Sequence, residues 1–311
     1  MINWNKSGCI FKAQGQFPFM QTHTAMPIPL HLYDDIFRIY FSTRGERNNP
    51  QVGFIEIDIK EPKKILKISD KPVLENGPEG HFDFNGLYSG CIVKRDEELL
   101  MYYSGRTNLE NGMYHVEVGL AKSLDGGLTF KKYSDSPIFG RNINDPWLVS
   151  TPHVIPYNDG WRMYYLSGRK VTRISATDYS SFYDVRSAFS KDGLKWTSEN
   201  IIHIPIDNET TYIAAPTISN LNSNTNLMTF SYIKHDNDYQ LGAAVSSNLE
   251  NWKITNEIFN HVENELWDAT KAYPNSFIHN GKLYLFYCGN TYGKEGLGFL
   301  DIEIEKLANN F

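Results

Sequence analysis

Val149-Ser150-Thr151-Pro152-His153-Val154-Ile155, a short turn, and then Trp161-Arg162-Met163-Tyr164-Tyr165-Leu166-Ser167-Gly168-Arg169 form the stretch that decides the fold. Four more copies of the same two-part pattern run through the chain. They are TAMPIPL (24–30) before RIYFSTR (38–44), LYSGCIV (87–93) before LLMYYSGR (99–106), IAAPTIS (213–219) before NLMTFSYIK (226–234), and KAYPNSF (271–277) before KLYLFYCGN (282–290). The copies align on Pro27, Gly90, Pro152, Pro216 and Pro274, at steps of 58–64 residues. A fixed period of this size, filled with β-type residues, marks radial repetition of small sheets. The expected fold is all-β, a five-bladed β-propeller.

Within each unit the pattern predicts four strands. Strand A holds the aligned column and strand B is the aromatic run. Strand C recurs as QVGFIEIDI, EVGLAKS, DVRSAFS, QLGAAVS and GLGFLDIEI, and strand D follows a tight turn such as SLDGG or SKDG. These turns carry Asp-Gly or Asn, residues suited to hairpin geometry. Each unit closes on an apolar pair, Val73-Leu74, Ile138-Phe139, Ile201-Ile202 and Ile258-Phe259, and a fifth pair, Ile10-Phe11, stands before any A strand. No room for a D strand follows GLGFLDIEI, so residues near 4–12 are expected to complete the last blade and remove its open edge. The chain reads as one domain, 1–311, with blades at 22–75, 86–139, 148–202, 212–259, and 270–305 plus 4–12.

The net charge of −6 over 311 residues argues against a nucleic-acid or membrane surface. No leader-type apolar segment opens the chain, and no stretch approaches the roughly 18 apolar residues of a membrane span. Cys9, Cys91 and Cys288 have no metal-like spacing, and the histidines form no metal pattern. The expectations are a cytoplasmic protein with no metal and no cofactor; nothing fixes its oligomeric state.

Strand direction alternates within a blade, so the starts of the A strands and the ends of the B strands share one face beside the axis. Acids gather at the A starts: Asp83 in HFDFNG, Asp145 in NDPW, Glu209 in ETTY, and Asp268 in WDATK, where Lys271 also stands. His23 marks the acid-free first start. Bases gather at the B ends: Arg44, Arg106, Arg169 and Lys234, with Asn290 at the fifth. Cations at four of five equivalent ends of an acidic chain suggest an anion site, because Arg offers a planar fork to phosphate or carboxylate. The competing reading is that each Arg pairs with a nearby acid, such as Arg106 with Asp145. Cleaving a glycosidic bond needs one protonated and one ionised carboxyl, which makes Asp83, Asp145 and Asp268 the acid–base candidates. Trp147, Tyr212 and Trp267 are candidates to frame a sugar ring. The polar segment 170–184 is expected to be a loop on this face, either a lid or plain surface.

The elements HFDFNGLYSGCIV, LMYYSGR, SPIFGRNINDPWLVSTPHVI, WRMYYLSGR, SKDGLKW, YIAAPTI, WDATKAYP and GNTYGKEGLGF resemble the five-bladed propeller proteins related to glycoside hydrolase families 32, 43, 68 and 130. They are most similar to uncharacterised glycosidase-like proteins encoded among bacterial surface-polysaccharide genes. The resemblance implies a glycoside hydrolase-like enzyme that hydrolyses or transfers a glycosyl group. Joined to the cation ring, it implies a small anionic carbohydrate substrate, a nucleotide sugar or sugar phosphate, in surface polysaccharide biosynthesis; the alternative is a non-catalytic glycan binder. The chain departs from the pattern at His23-Thr24-Ala25-Met26-Pro27, where family 43 begins with a catalytic Asp-Pro.

Overall fold

The computed structural model describes residues 2–175, 179–207, 210–234 and 238–311, and it is nearly all β. Strand β1 (Asn5–Lys6) precedes a first sheet of β2 (Thr22–Tyr33), β3 (Ile36–Arg44), β4 (Pro50–Asp58) and β5 (Ile65–Ile68). A second sheet holds β6 (Leu87–Arg95), β7 (Glu98–Asn108), β8 (Tyr114–Ser123) and β9 (Lys131–Lys132). Then come β10 (Leu148–Tyr157), β11 (Gly160–Arg173), β12 (Tyr179–Ser190) and β13 (Thr197–Ile204), followed by β14 (Thr210–Asn222), β15 (Thr225–Lys234), β16 (Gln240–Ser246) and β17 (Lys253–Ile254). These two groups join into one eight-stranded sheet through a single parallel pair, Tyr183 opposite Tyr212. The last sheet is β18 (Ala272–His279), β19 (Lys282–Cys288) and β20 (Leu297–Glu303), with β1 at its edge. The first strands touch in sequence, β2 to β6, β6 to β10, β10 to β14, β14 to β18, and β18 back to β2.

The second strands are buried along most of their length, because each sheet is covered on both faces by its neighbours. That is why they read as continuous apolar runs. Every first strand carries a bulge at the aligned column. In four of them the residue just before the proline is left-handed: Met26, Thr151, Ala215 and Tyr273, with φ of 52°, 47°, 53° and 53°. The second sheet has glycine in the column itself, since a Cβ on Gly90 would meet the Tyr102 carbonyl at 2.4 Å and Pro152 at 2.7 Å. Hydroxyls of the preceding unit satisfy the bulges. Ser89 N donates to Ser42 Oγ (2.9 Å), Thr151 N to Ser104 Oγ (3.0 Å), Ala215 N to Thr151 Oγ1 (3.1 Å) and Tyr273 N to Ser231 Oγ (2.6 Å).

The N-terminal segment closes the last sheet. Asn5 and Lys6 pair with Asp301 and Leu300, and Phe11 bridges Leu297 as Leu74 bridges Val52 and Phe139 bridges Val118. Trp4 Nε1 donates to the Ile258 carbonyl at 2.8 Å, and its ring stacks on Phe259. The third pair is displaced: Ile202 is 47% exposed, and Ile204, opposite Val185, is the buried residue instead.

The segment expected to be a loop at 170–184 is largely a hairpin extension of β11 and β12, with Lys170 opposite Phe182 and Thr172 opposite Ser180. Alternating register carries the ladder past the sheet, and residues 176–178 of its tip lie outside the described residues. The Asp and Asn turns are local caps. Asp125 accepts Thr129 N (3.1 Å), Asp192 accepts Leu194 N (2.8 Å), and Asn248 accepts Glu250 N (3.0 Å). Among the described residues no helix is long and apolar enough to cross a membrane, and no group of three or more His, Cys, Asp or Glu could hold a metal ion.

Candidate functional site

A cavity of about 410 Å³ opens where the first strands start and the second strands end. Its walls are largely tyrosine: Tyr88, Tyr114, Tyr183, Tyr212, Tyr239, Tyr273 and Tyr292. Tyr183 and Tyr212 meet edge to face at 4.8 Å across the parallel pair, and Tyr239 lies 5.4 Å from Tyr273 and 5.8 Å from Tyr292. Burial pushes the Tyr114, Tyr183, Tyr239 and Tyr273 hydroxyls above their usual range, so these groups are neutral hydrogen-bonding partners at physiological pH.

Three basic side chains share the cavity: His23, Arg44 and Arg106. Arg106 donates from Nε to Asn108 Oδ1 (2.8 Å) and from Nη1 to the Tyr88 hydroxyl (3.1 Å), and its guanidinium carbon lies 4.4 Å from the Tyr114 ring centre. Arg44 donates to Asn48 Oδ1 at 3.2 Å. Among the described residues the competing pairing of Arg106 with Asp145 is absent. Among the described residues neither arginine has a carboxylate within 4.0 Å, and no carboxylate lines the cavity. Burial, then the charges of Arg44 and Lys294, push His23 down to about 4, so it is a neutral ring.

Asp83, Asp145 and Asp268, expected at the chemistry, are fully buried inside the sheets and off the cavity wall. Each accepts a hydrogen bond from a tyrosine of its own second strand: Tyr103 to Asp83 (2.9 Å), Tyr165 to Asp145 (2.9 Å), Tyr287 to Asp268 (2.6 Å). Asp83 also pairs with Lys132 (2.6 Å), and Asp268 with Lys6 (2.8 Å). Asp145 takes Ser167 Oγ (2.6 Å) and Asn142 Nδ2 (2.7 Å). The arrangement is a repeated lock of the A-strand start onto the B strand, and a carboxylate so enclosed has no path to a ligand. In the first sheet, whose start carries no acid, Phe41 stands where the second sheet has Tyr103. Replacing Asp145 by alanine is expected to cost about 2–4 kcal/mol by stranding two buried hydroxyls. Thermal denaturation measures that cost, while ligand affinity of the folded variant stays at the wild-type value.

The cation ring shrinks to two arginines, and register is the reason. MYYLSGR in the third repeat has one residue more than MYYSGR in the second. The extra residue moves Arg169 off the cavity wall, because a one-residue slip turns a strand side chain to the other face. Arg169 bonds the Asn144 carbonyl and lies 3.7 Å from Asp184. In the fourth repeat Ile233 occupies the wall and Lys234 stands one place beyond it. Trp147 packs on His115, ring centres 5.1 Å apart. Trp267 stacks on Tyr287 at 5.4 Å. Lys271 is buried, donating to the Asp268 carbonyl (2.9 Å) and Asn264 (2.5 Å). Asn290 ties Thr270 N (2.8 Å) to the Leu266 carbonyl (2.7 Å). These four therefore support loops and do not line the cavity. Glu209 lies outside the described residues. Of the expected substrate-binding residues, the cavity brings together His23, Arg44, Arg106 and Tyr212. The other six tyrosines went unrecognised, although Tyr88 and Tyr273 sit two and one places before the aligned column.

The fold is that of the glycoside hydrolase-like propeller proteins. Residues 69–187 match the model of the glycosyl hydrolases family 32 N-terminal domain. The whole fold is similar to a β-1,2-mannobiose phosphorylase from Listeria innocua, with a TM-score of 0.70 at 11% identity over 99% of this chain and 98% of that one. It is also similar to an α-L-arabinofuranosidase from Podospora anserina, with a TM-score of 0.66 at 11% identity over 96% of both chains. The chain belongs to the family of the uncharacterised protein Rv1502 of Mycobacterium tuberculosis strain H37Rv, to which it is 30% identical over 302 residues, 96% of this chain and 99% of that protein.

Proposed function

We propose that the protein is a single five-bladed propeller, 1–311, and a glycoside-processing enzyme whose substrate is a small anionic glycosyl compound, a sugar phosphate or nucleotide sugar. The observation that carries this reading is the pair Arg44 and Arg106, without carboxylate partners among the described residues, in a tyrosine-walled cavity. Two buried-edge guanidinium groups facing one cavity attract a phosphate, and tyrosine faces suit a sugar ring. The same inventory fits the chemistry. A phosphate departs as an anion and needs no proton from a carboxylic acid, so the arginines supply the stabilisation that charge development demands. Water or a sugar hydroxyl attacks the anomeric carbon, the glycosyl C–O bond breaks, and its electron pair leaves on the phosphate oxygen. The attacking oxygen's proton passes to neutral His23, a base about as weak as a carboxylate.

A role in surface polysaccharide biosynthesis follows from the sequence resemblance. Three free cysteines, two of them buried, suit the reducing cytoplasm. A second reading, a binder without turnover, is favoured by the absence of any carboxylate from the cavity wall among the described residues. The test is a panel of glycosyl 1-phosphates and nucleotide sugars, followed by release of phosphate or nucleotide and by thermal shift. Turnover supports the enzyme; saturable stabilisation without product supports the binder. A panel without either effect removes the anionic-substrate reading.

A further inference from the structure

The first two sheets meet beside the ends of their second strands. Arg44 pairs with Pro50 across the β3–β4 ladder. Pro50 packs on Gly86, just before β6, so closely that a Cβ there would lie 2.4 Å from Pro50 Cδ, and Gly86 stands at φ 148°. Only glycine meets both conditions. The Gly86 carbonyl in turn accepts the Arg106 amide at 2.9 Å. This chain of contacts sets the strand ends of Arg44 and Arg106 side by side, and both residues line the cavity together with Tyr88. The rest of the wall has a different character. The lining from the third, fourth and fifth sheets, with Leu166, Tyr183, Tyr212, Ile233 and Tyr239 in it, includes no charged side chain among the described residues. The cavity is therefore polarised, cationic at the first seam and aromatic on its remaining sides.

Arg106 is held in place before any ligand arrives. Its Nε–H goes to Asn108 Oδ1 (2.8 Å), one Nη1 hydrogen goes to the Tyr88 hydroxyl (3.1 Å), and the guanidinium carbon lies 4.4 Å from the Tyr114 ring centre. Asn108 is itself fixed, its amide donating to Asn85 Oδ1 at 2.8 Å. Two of the five guanidinium N–H groups are thereby used, so the Nη2 amino group and one Nη1 hydrogen remain for a ligand. The Tyr88 oxygen accepts from Arg106, and among the described residues its own O–H meets no acceptor. A hydroxyl whose oxygen is occupied by a cation points its proton away from that cation, and here the proton is left for a ligand.

We propose that Tyr88 is a substrate-binding donor whose hydroxyl joins Arg44 and Arg106 in one subsite for a terminal phosphate, which makes the substrate a glycosyl 1-phosphate, a phosphate monoester, and not a nucleotide sugar. The proposal rests on the anionic-substrate reading of the cavity and narrows it. A monoester offers three acceptor oxygens and close to two negative charges, which matches three donor groups of which two are cations. Each phosphate of a nucleotide sugar bridges two neighbours and carries one charge, and its second phosphate would face the uncharged wall. No carboxylate lines the cavity to accept a P–O–H proton, so the fully ionised phosphate is the form recognised. The glycosyl group then lies toward the tyrosines.

Titration calorimetry of the full chain with inorganic phosphate, glucose 1-phosphate and UDP-glucose tests it. Binding of glucose 1-phosphate is expected to tighten about tenfold from about pH 5 to about pH 7.5, as its second ionisation near 6 completes. UDP-glucose, which has no such ionisation, should bind at least about tenfold more weakly at the higher pH and without that dependence. The protein's own groups do not produce the rise. His23 is pushed down to about 4, and its protonation would strengthen anion binding as pH falls; burial keeps Tyr114, Tyr183, Tyr239 and Tyr273 neutral. Tyr88→Phe should weaken glucose 1-phosphate and inorganic phosphate about tenfold or more with an unchanged melting curve. Asn108→Ala, which loosens Arg106 without removing a ligand donor, should cost less. If Tyr88→Phe loses no more than Asn108→Ala, or UDP-glucose binds as tightly as glucose 1-phosphate, the monoester subsite is overturned, and loss of affinity in Arg106→Gln keeps the anionic-substrate reading. If the wild type binds none of the probes, both are overturned.

Discussion

Replacing Arg44 and Arg106 together by alanine is expected to weaken binding of glycosyl phosphates by on the order of a thousandfold. A hydrogen bond to a charged group contributes about 1.5–3 kcal/mol, and each arginine offers several donors to one anion. Their present partners are the neutral groups Asn48, Asn108 and the Tyr88 hydroxyl, so loss of the guanidiniums strands no buried charge. Stability should therefore change by less than about 1 kcal/mol. The single variants should each lose tenfold or more. Raising the salt from about 0.05 M to about 0.5 M should reproduce part of the loss in the wild type, because the interaction is Coulombic and partly open to solvent. Isothermal titration with melting curves of the same samples checks the prediction. A double variant with wild-type affinity would take the arginines out of the site.

Deleting residues 1–12 should be strongly destabilising. It removes the outer strand of the last sheet, the ladder from Asn5 and Lys6 to Asp301 and Leu300, and the buried side chains Ile10 and Phe11. Loss of two such side chains costs about 5–10 kcal/mol by large-to-small analogy, comparable with the whole stability of a typical domain. It also uncovers β20 as a bare edge, which invites aggregation. Lys6 leaves with the segment, and fully buried Asp268 then keeps Lys271 at 3.6 Å as its cationic partner. Lys6→Met alone should cost about 3 kcal/mol for the same reason. The truncated chain is expected to be insoluble or to melt more than about 10 °C lower; a soluble product melting with the wild type would show that closure through β1 contributes little.

The sequence was most legible where one residue type serves one backbone need. The proline column, the aromatic second strands and the Asp or Asn turns all mark local geometry, and five copies let each be checked against the others. The apolar pair Ile10-Phe11 could be matched to Val73-Leu74 and Ile138-Phe139 before any strand was drawn, because burial at a given step of the repeat demands the same chemistry. The candidate site was legible in its location and in His23, Arg44, Arg106 and Tyr212. It was misread in its acids. Asp83, Asp145 and Asp268 recur at a strand start, as a catalytic ring would, but each occurs with a tyrosine 19 or 20 residues later, at Tyr103, Tyr165 and Tyr287. Where the first start carries no acid, that place is Phe41. The paired presence was readable and marks a lock between neighbouring strands.

By itself the sequence determined the repeat, the strand order within each unit and the face on which the cavity opens, since these depend on spacing and polarity along the chain. Only the tertiary structure decided which side chains reach that cavity. One extra residue before Ser167 moves Arg169 off the wall, and Ile233 holds the wall position that Lys234 misses by one place. Both depend on the register of a few residues, and a one-residue change there exchanges the side chain facing the cavity for one that faces away.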